Sequence, residues 1–286
     1  MTTYAVTGAT GHLGRLAVAE LLARGVPAAD VVALARTPDK AADLGVPVRR
    51  ADYADPATLP AALEGVDALL FVSGSEVGQR VPQHTAVVEA AKAADVGRVV
   101  YTSLPRADVS ANPLAPEHQA TEELLRDSGL TYALLRNNWY YENYTTRLPQ
   151  YLQSGEVTGL SGDAHVGAAA REDYAAAAVT ALLDPPAPGA VLELNGPGFS
   201  LAELAATITA VTGTTVVYRD STPDELGAGF RAAGLPAGFA DLLVAVEESS
   251  ARGDLDVRTP DLERLLDRPA VTLEEFLRRS TAAVAA

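Results

Sequence analysis

The chain has 286 residues, with 22 Lys and Arg against 37 Asp and Glu, a formal net charge of −15. That length allows one large core or a large domain with a smaller companion, and 48% apolar with 21% charged residues excludes disorder as the main state. The acidic balance, with no run of Lys or Arg longer than two, argues against nucleic acid as a partner, and the absence of cysteine removes disulfides, thiolate nucleophiles and iron–sulfur clusters together.

The N-terminus lacks the basic start and apolar stretch of an export signal. No run approaches the roughly 18 apolar residues of a membrane span, so a cytoplasmic protein with no membrane partner is expected. The histidines His12, His84, His118 and His165 do not stand at the i, i+4 spacing of a helical metal site, and no metal is expected.

In chain order, short apolar runs alternate with helical patterns. Tyr4–Val6, Val31–Ala35, Val46–Arg50, Ala68–Val72, Val99–Thr102, Thr131–Leu135 and Val191–Leu194 read as strands, continuous enough in apolar character to be covered on both faces. Between them, Leu13–Leu22, Ala86–Ala94 and Glu117–Ser128 carry a helical period, with Gly25 where a helix end would use it. The alternation predicts α/β architecture: a doubly wound parallel sheet, the Rossmann fold, with a smaller α/β C-terminal lobe. Residues 1–139 are assigned to the dinucleotide-binding domain, with 166–197 returning to it. Residues 140–165 and 198–286 form the substrate-covering lobe, and 156–160 is left without a firm strand assignment. Ser200 and Glu203 have the spacing of a capping box opening a helix, and Thr215–Tyr218 is strand-like.

Gly8-Ala9-Thr10-Gly11-His12-Leu13-Gly14 follows the first strand and opens the first helix. A dinucleotide pyrophosphate needs bare backbone N–H groups at a helix N-terminus; Gly8 allows the tight turn, Gly11 the approach of phosphate, and Gly14 close packing of helix on strand. At the end of the second strand, where an NAD enzyme places a carboxylate for the ribose 2′-hydroxyl, stands Arg36. A guanidinium can grip a 2′-phosphate with two hydrogen bonds, so NADP(H) is the expected cofactor. Further contacts are expected at the carboxyl ends of later strands: Asp52-Tyr53 near adenine, Ser73-Gly74-Ser75 past the nicotinamide ribose, and Thr102-Ser103.

The Tyr-x-x-x-Lys pair of common short-chain reductases is missing. The only lysines are Lys40 and Lys92, and four residues before them stand Arg36 and Val88. His118 could supply a proton, or be an ordinary half-exposed helix histidine. Arg136 to Tyr144 (RNNWYYENY) holds the only Trp and three of the ten Tyr directly after the sixth strand. Aromatic walls with amide hydrogen bonds suit a flat, electron-poor acceptor, though an aromatic hinge between lobes would use the same residues.

GATGHLG, Arg36, ADYAD at 51–55, Ser75-Glu76-Val77-Gly78-Gln79-Arg80 with Pro82-Gln83-His84, the RNNWYYENY string, Asp173-Tyr174 with four Ala, and Gly234-Leu235-Pro236 together resemble the NmrA-like atypical short-chain dehydrogenases. The resemblance spans almost the whole chain and is strongest to the bacterial quinone oxidoreductases of type 2, with the triphenylmethane reductases as near relatives. It implies a Rossmann domain holding NADPH and a smaller domain closing a cleft over the nicotinamide. Carried over by this resemblance, Gly8, Ala9, Thr10, Gly11, His12, Leu13, Arg36, Ser73, Gly74, Ser75, Asn137, Asn138, Glu142 and Arg171 contact the cofactor. Two departures are His12, where relatives carry Gln, and Gly74, where the quinone reductases carry Ser.

The expected reaction is hydride transfer from NADPH to a quinone or similar planar acceptor, held about 3–3.5 Å from the nicotinamide. Water can protonate the product, which makes a Tyr–Lys acid dispensable. Asn137 would orient the acceptor, Trp139 and Tyr140 line its pocket, and His118 supply a proton, in a monomer or homodimer. The alternative is a non-catalytic NADP(H)-binding redox sensor of the NmrA type, which the missing acid–base pair would suit equally.

Overall fold

The computed structural model describes residues 1–285, with side chains described as far as Thr281. Its strands are β1 (Tyr4–Val6), β2 (Val31–Ala35), β3 (Val48–Arg50), β4 (Ala68–Phe71), β5 (Arg98–Ser103), β6 (Tyr132–Asn137), β7 (Glu156–Gly159), β8 (Ala190–Leu194) and β9 (Val217–Asp220). Seven of them form one sheet in the order β3-β2-β1-β4-β5-β6-β8, every neighbouring pair parallel. The fold class expected from the alternation is the one observed. All of β2 and β4 is buried, as strands covered on both faces must be.

The helices are α1 (His12–Ala23), α2 (Leu59–Leu63), α3 (Arg80–Ala93), α4 (Ala115–Asp127), α5 (Glu142–Thr145), α6 (Leu148–Ser154), α7 (Arg171–Leu183), α8 (Leu201–Thr212), α9 (Pro223–Ala232), α10 (Ala237–Ala251), α11 (Asp261–Leu266) and α12 (Leu273–Ala285). α1, α7 and α11 pack on one face of the sheet, through Leu13, Leu21, Ala175, Val179 and Leu262. α2, α3 and α4 cover the other, through Leu59, Val87, Val88 and Leu125. Strand order reverses between β1 and β4, so the ligand crevice of such a sheet opens at their carboxyl ends. The Ala-rich run in α7 is a core helix buried nearly all round, and its small side chains let it lie close on the sheet between α1 and α11. No helix among the described residues is long and apolar enough to cross a membrane.

Three local expectations shift. α3 begins at Arg80, six residues before the apolar period that announced it, because Arg80, Gln83 and His84 are polar side chains on its buried face. The unassigned stretch 156–160 contains β7, which pairs in parallel with β9 as a separate two-stranded sheet. The strand-like run at Thr215–Tyr218 is displaced two residues towards the C-terminus, to Val217–Asp220. The Ser200–Glu203 capping box forms as expected, with the Glu203 N–H donating to Ser200 Oγ and the Ser200 N–H to Glu203 Oε2.

A third apolar cluster lies beside the two-stranded sheet, around Tyr141, Tyr144, Leu148, Phe199, Ile208 and Leu277. Among the described residues, five passes of the chain join it to the large sheet, near residues 138–141, 166–170, 194–199, 255–261 and 270–273, and the first three are hydrogen-bonded to one another. Asn138 N–H donates to Leu194 O, Ala169 N–H to Trp139 O, and Gly196 N–H to Gly167 O, so those three are laced together.

Candidate functional site

The β1–α1 turn works because of what its glycines lack. Gly8 has φ +58°, in the left-handed region. A Cβ on Gly14 would fall 2.7 Å from Gly8 C and 2.9 Å from Ala9 Cα, so only glycine lets α1 sit this close to the turn. Gly11 caps α1 without a side-chain hydrogen bond, its own N–H donating to Gly8 O at 2.8 Å. Among the described residues, the N–H groups of His12 and Leu13 then have no protein acceptor, which leaves the positive end of the helix bare. A cavity of about 420 Å³ opens there, lined by Gly8, Thr10, Gly11, His12, Leu13 and Arg36 together with Ser73, Gly74, Ser75 and Glu76. Ala9 is the exception in the glycine loop: its methyl is wholly buried in the core and its N–H donates to Leu34 O, so it shapes the turn without facing the cavity.

The loop after β4 is held from below. Gly74 N–H donates to His84 Nε2 at 3.0 Å, so the other ring nitrogen carries the proton and donates to Thr121 Oγ1 at 2.8 Å. Burial, reinforced by Arg80, lowers the His84 pKa to about 3 and keeps the ring neutral. Arg80 Nε donates to Gly74 O, and Arg80 Nη1 pairs with Glu117 Oε2, whose other oxygen accepts from Gly78 N–H. Ser73 N–H donates to Thr102 Oγ1, and the Tyr53 hydroxyl to Val72 O. Arg36 extends over this loop to Glu76, Nη1 to Oε1 at 3.0 Å. Sequence reasoning missed Arg80, His84 and Glu117 as anchors, although the string Ser75–His84 was one of those that carried the resemblance.

His118 lines neither this cavity nor the second one. Its ring is buried, with Nδ1 2.9 Å from the Tyr101 hydroxyl, and burial together with Arg80 and His84 pushes its pKa well below the usual value. A neutral, enclosed imidazole is a poor proton source at neutral pH.

Asn137 ends β6, and its buried side-chain nitrogen and oxygen have no hydrogen-bond partner among the described residues. A buried unpaired amide is destabilising to the fold that keeps it. Its neighbour Arg136 fixes the strand end: Nε and Nη2 donate to Glu122, and Nη1 reaches Glu193 and Asp108. Asn138, by contrast, commits its whole amide to the protein. Its nitrogen donates to Asn195 Oδ1 and Leu255 O, and its oxygen accepts from Trp139 N–H. Its side-chain amide therefore fastens β6 to the passes at 195 and 255.

Trp139 and Tyr140, expected to line one pocket, part company at the end of β6. Trp139 faces a cavity of about 740 Å³ lined also by Tyr144, Arg147, Phe230, Leu235 and Glu247. Tyr140 turns onto Tyr174, edge to face at 5.2 Å, and beneath the Arg171 guanidinium at 5.0 Å. Burial raises its phenol pKa, with the nearby Asn137 amide, which lies close without meeting hydrogen-bond geometry, and Arg171 drawing it partway back. Glu142 accepts the Arg171 N–H at the start of α7, and burial raises its pKa. Glu142 and Arg171 are thus brought together by helix capping, while the Arg171 side chain donates to Asn143 Oδ1.

The family model for NAD(P)H-binding proteins matches residues 8–185. Quinone oxidoreductase 2 of Escherichia coli K12 is 44% identical, over 95% of this chain and 96% of its own length. Among solved structures, the NADPH complex of an NADPH-dependent quinone oxidoreductase from Escherichia coli matches with a TM-score of 0.93 at 43% identity, covering 97% of this chain and 99% of that one. The NADP(H) complex of triphenylmethane reductase from Citrobacter sp. matches with a TM-score of 0.93 at 33% identity, covering 97% of this chain and all of the other.

Proposed function

This chain belongs to the NAD(P)H-binding, NmrA-like family of oxidoreductases, and on that premise we propose that it reduces a quinone or a similar planar, electron-poor acceptor with NADPH as the reductant. The observation that carries the reading is one cavity that joins the bare N-terminus of α1 to the Arg36 guanidinium. The residues present fit a dinucleotide. The N–H groups of His12 and Leu13 suit a pyrophosphate and Arg36 a 2′-phosphate; Asn137, whose amide has no partner among the described residues, is buried at the end of β6 and lines neither cavity.

Bound NADPH supplies a hydride. The chain's own part is to bind, orient and keep out water. Gly8, Thr10, Gly11, His12 and Leu13 would hold the phosphates, with Ser73, Gly74 and Ser75 passing the nicotinamide ribose. Asn137, placed by the Arg136 network, would orient the acceptor; its freedom from protein partners leaves both atoms for that task. Trp139 would form the aromatic wall of the acceptor cavity. Tyr140 and Arg171 stack on each other away from that wall, and His118 is given no proton-transfer role because its ring is enclosed and neutral. Residues 140–165 and 198–286 would act as the covering lobe over a dinucleotide-binding body of 1–139 and 166–197, except that α11 packs on the sheet with α1 and α7 and belongs to the body. Protonation of the reduced acceptor is left to water.

The test is anaerobic oxidation of NADPH, followed at its absorbance band, against a panel of quinones, azo dyes and triphenylmethane dyes, with NADH as control. Turnover with at least one quinone is expected. No oxidation with any acceptor, together with equal affinity for NADPH and NADP⁺, would replace the enzymatic reading with that of a dinucleotide sensor.

A further inference from the structure

The Arg36–Glu76 pair carries a consequence for the choice of cofactor, resting on the functional reading above. Arg36 follows β2 and Glu76 follows β4, with β1 between them in the sheet. The ion pair therefore bridges the β1–α1 turn, and both side chains line the cavity at the mouth of α1. The Glu76 carboxylate is anchored at both oxygens: Oε1 accepts from Arg36 Nη1 at 3.0 Å and Oε2 from Gln83 Nε2 at 2.8 Å, Gln83 itself being buried. A carboxylate so tethered stays near the guanidinium when a ligand arrives.

We propose that Glu76 sets the preference between the two dinucleotides, its anchored carboxylate competing with a 2′-phosphate for Arg36 while offering an acceptor to a 2′-hydroxyl. The 2′-phosphate must either displace the carboxylate from the guanidinium or share the guanidinium with it. Displacement costs the ion pair, and sharing sets two anions side by side. A dinucleotide with a free 2′-hydroxyl meets neither penalty. Arg36 alone would make the site strongly selective for NADPH; Glu76 pulls the selectivity back and keeps NADH usable.

The experiment is fluorescence titration of the wild-type chain and of Glu76→Gln with NADPH and with NADH, at low and at high salt. The amide keeps the Gln83 hydrogen bond and removes only the charge, and the site is exposed enough that folding is not at stake. NADPH is expected to bind about two- to fivefold tighter to the variant, the scale of one exposed charge interaction, with NADH unchanged or weaker. The gain should shrink at high salt, since exposed charges are screened. Glu76→Ala should give the same gain for NADPH and a loss for NADH. An unmoved or falling NADPH-to-NADH affinity ratio in Glu76→Gln overturns the role of Glu76 alone. A wild-type chain that binds neither dinucleotide overturns the functional reading and this inference with it.

Discussion

Gly14→Ala tests whether the approach of α1 to the β1 turn is a steric requirement or an accident of composition. In an open helix interior the change is favourable, because Ala is preferred over Gly by about 0.8–1.0 kcal/mol. At Gly14 the new methyl would stand 2.7 Å from Gly8 C and 2.9 Å from Ala9 Cα. Both are backbone atoms that no rotamer change can remove, so α1 itself must retreat by several tenths of an ångström. Overpacking of this kind costs roughly 1–3 kcal/mol; with a rigid obstacle the upper part of that range applies, and a net loss of about 2 kcal/mol remains after the propensity gain. The same retreat carries the His12 and Leu13 N–H groups away from the phosphate position, and NADPH affinity should fall about tenfold or more, the worth of one hydrogen bond to a charged group. Gly229, exposed in α9 with nothing within 4 Å of the place a methyl would take, is the matched control: there Ala should stabilise by roughly 0.5–1 kcal/mol. Urea unfolding of both variants, with NADPH titration of Gly14→Ala, reads the two effects. Equal changes at the two positions, or wild-type affinity in Gly14→Ala, would refute the steric argument.

Arg36→Asp should weaken NADPH about tenfold or more relative to NADH, because a carboxylate repels the 2′-phosphate and accepts from a 2′-hydroxyl; titration with both dinucleotides checks it. Asn137→Ala should lower turnover about tenfold or more while leaving the unfolding midpoint at or above wild type, since it removes two buried polar atoms without partners; steady-state kinetics and thermal unfolding measure the two sides. His84 is neutral when folded down to about pH 3 but takes up a proton near pH 6.5 when unfolded, so its contribution to stability is lost as pH falls below 6.5. The stability advantage of wild type over His84→Gln should therefore narrow by about 1.4 kcal/mol per pH unit in that window, measured by urea unfolding at pH 7, 6 and 5. Arg136→Met leaves the Glu122 carboxylate buried with its cation gone and should cost roughly 3–5 kcal/mol, read by urea unfolding at neutral pH.

The sheet was legible in the sequence because buried parallel strands are short, unbroken apolar runs, and β1 and β2 fall on the residues that pattern named. The glycine loop was legible for a similar reason: its three glycines answer local backbone demands that the motif itself makes plain. What escaped was whatever depends on direction in space. Arg80, Gln83 and His84 look like surface residues by type, yet they are the buried underside of the loop after β4. Adjacent residues at the end of β6 point different ways, so Trp139 reaches the larger cavity while Tyr140 packs under Arg171. Asn137 and Asn138 are the same residue type in sequence, and only the bonds made to Asn195 and Leu255 tell the fastener from the free amide.

The three laced passes at 138–141, 166–169 and 194–199 bear on how the molecule can move. A body joined to its neighbour by one strand can swing; one joined by five passes, three of them stitched edge to edge and with Asn138 fastened to Leu255 besides, should flex only about the stitching. On the functional reading proposed above, admission of a bulky acceptor would then fall to α9 and α10, which border the larger cavity from outside the seam. Grafting a different acceptor range onto this scaffold should accordingly begin with those two helices and leave the stitched crossing untouched.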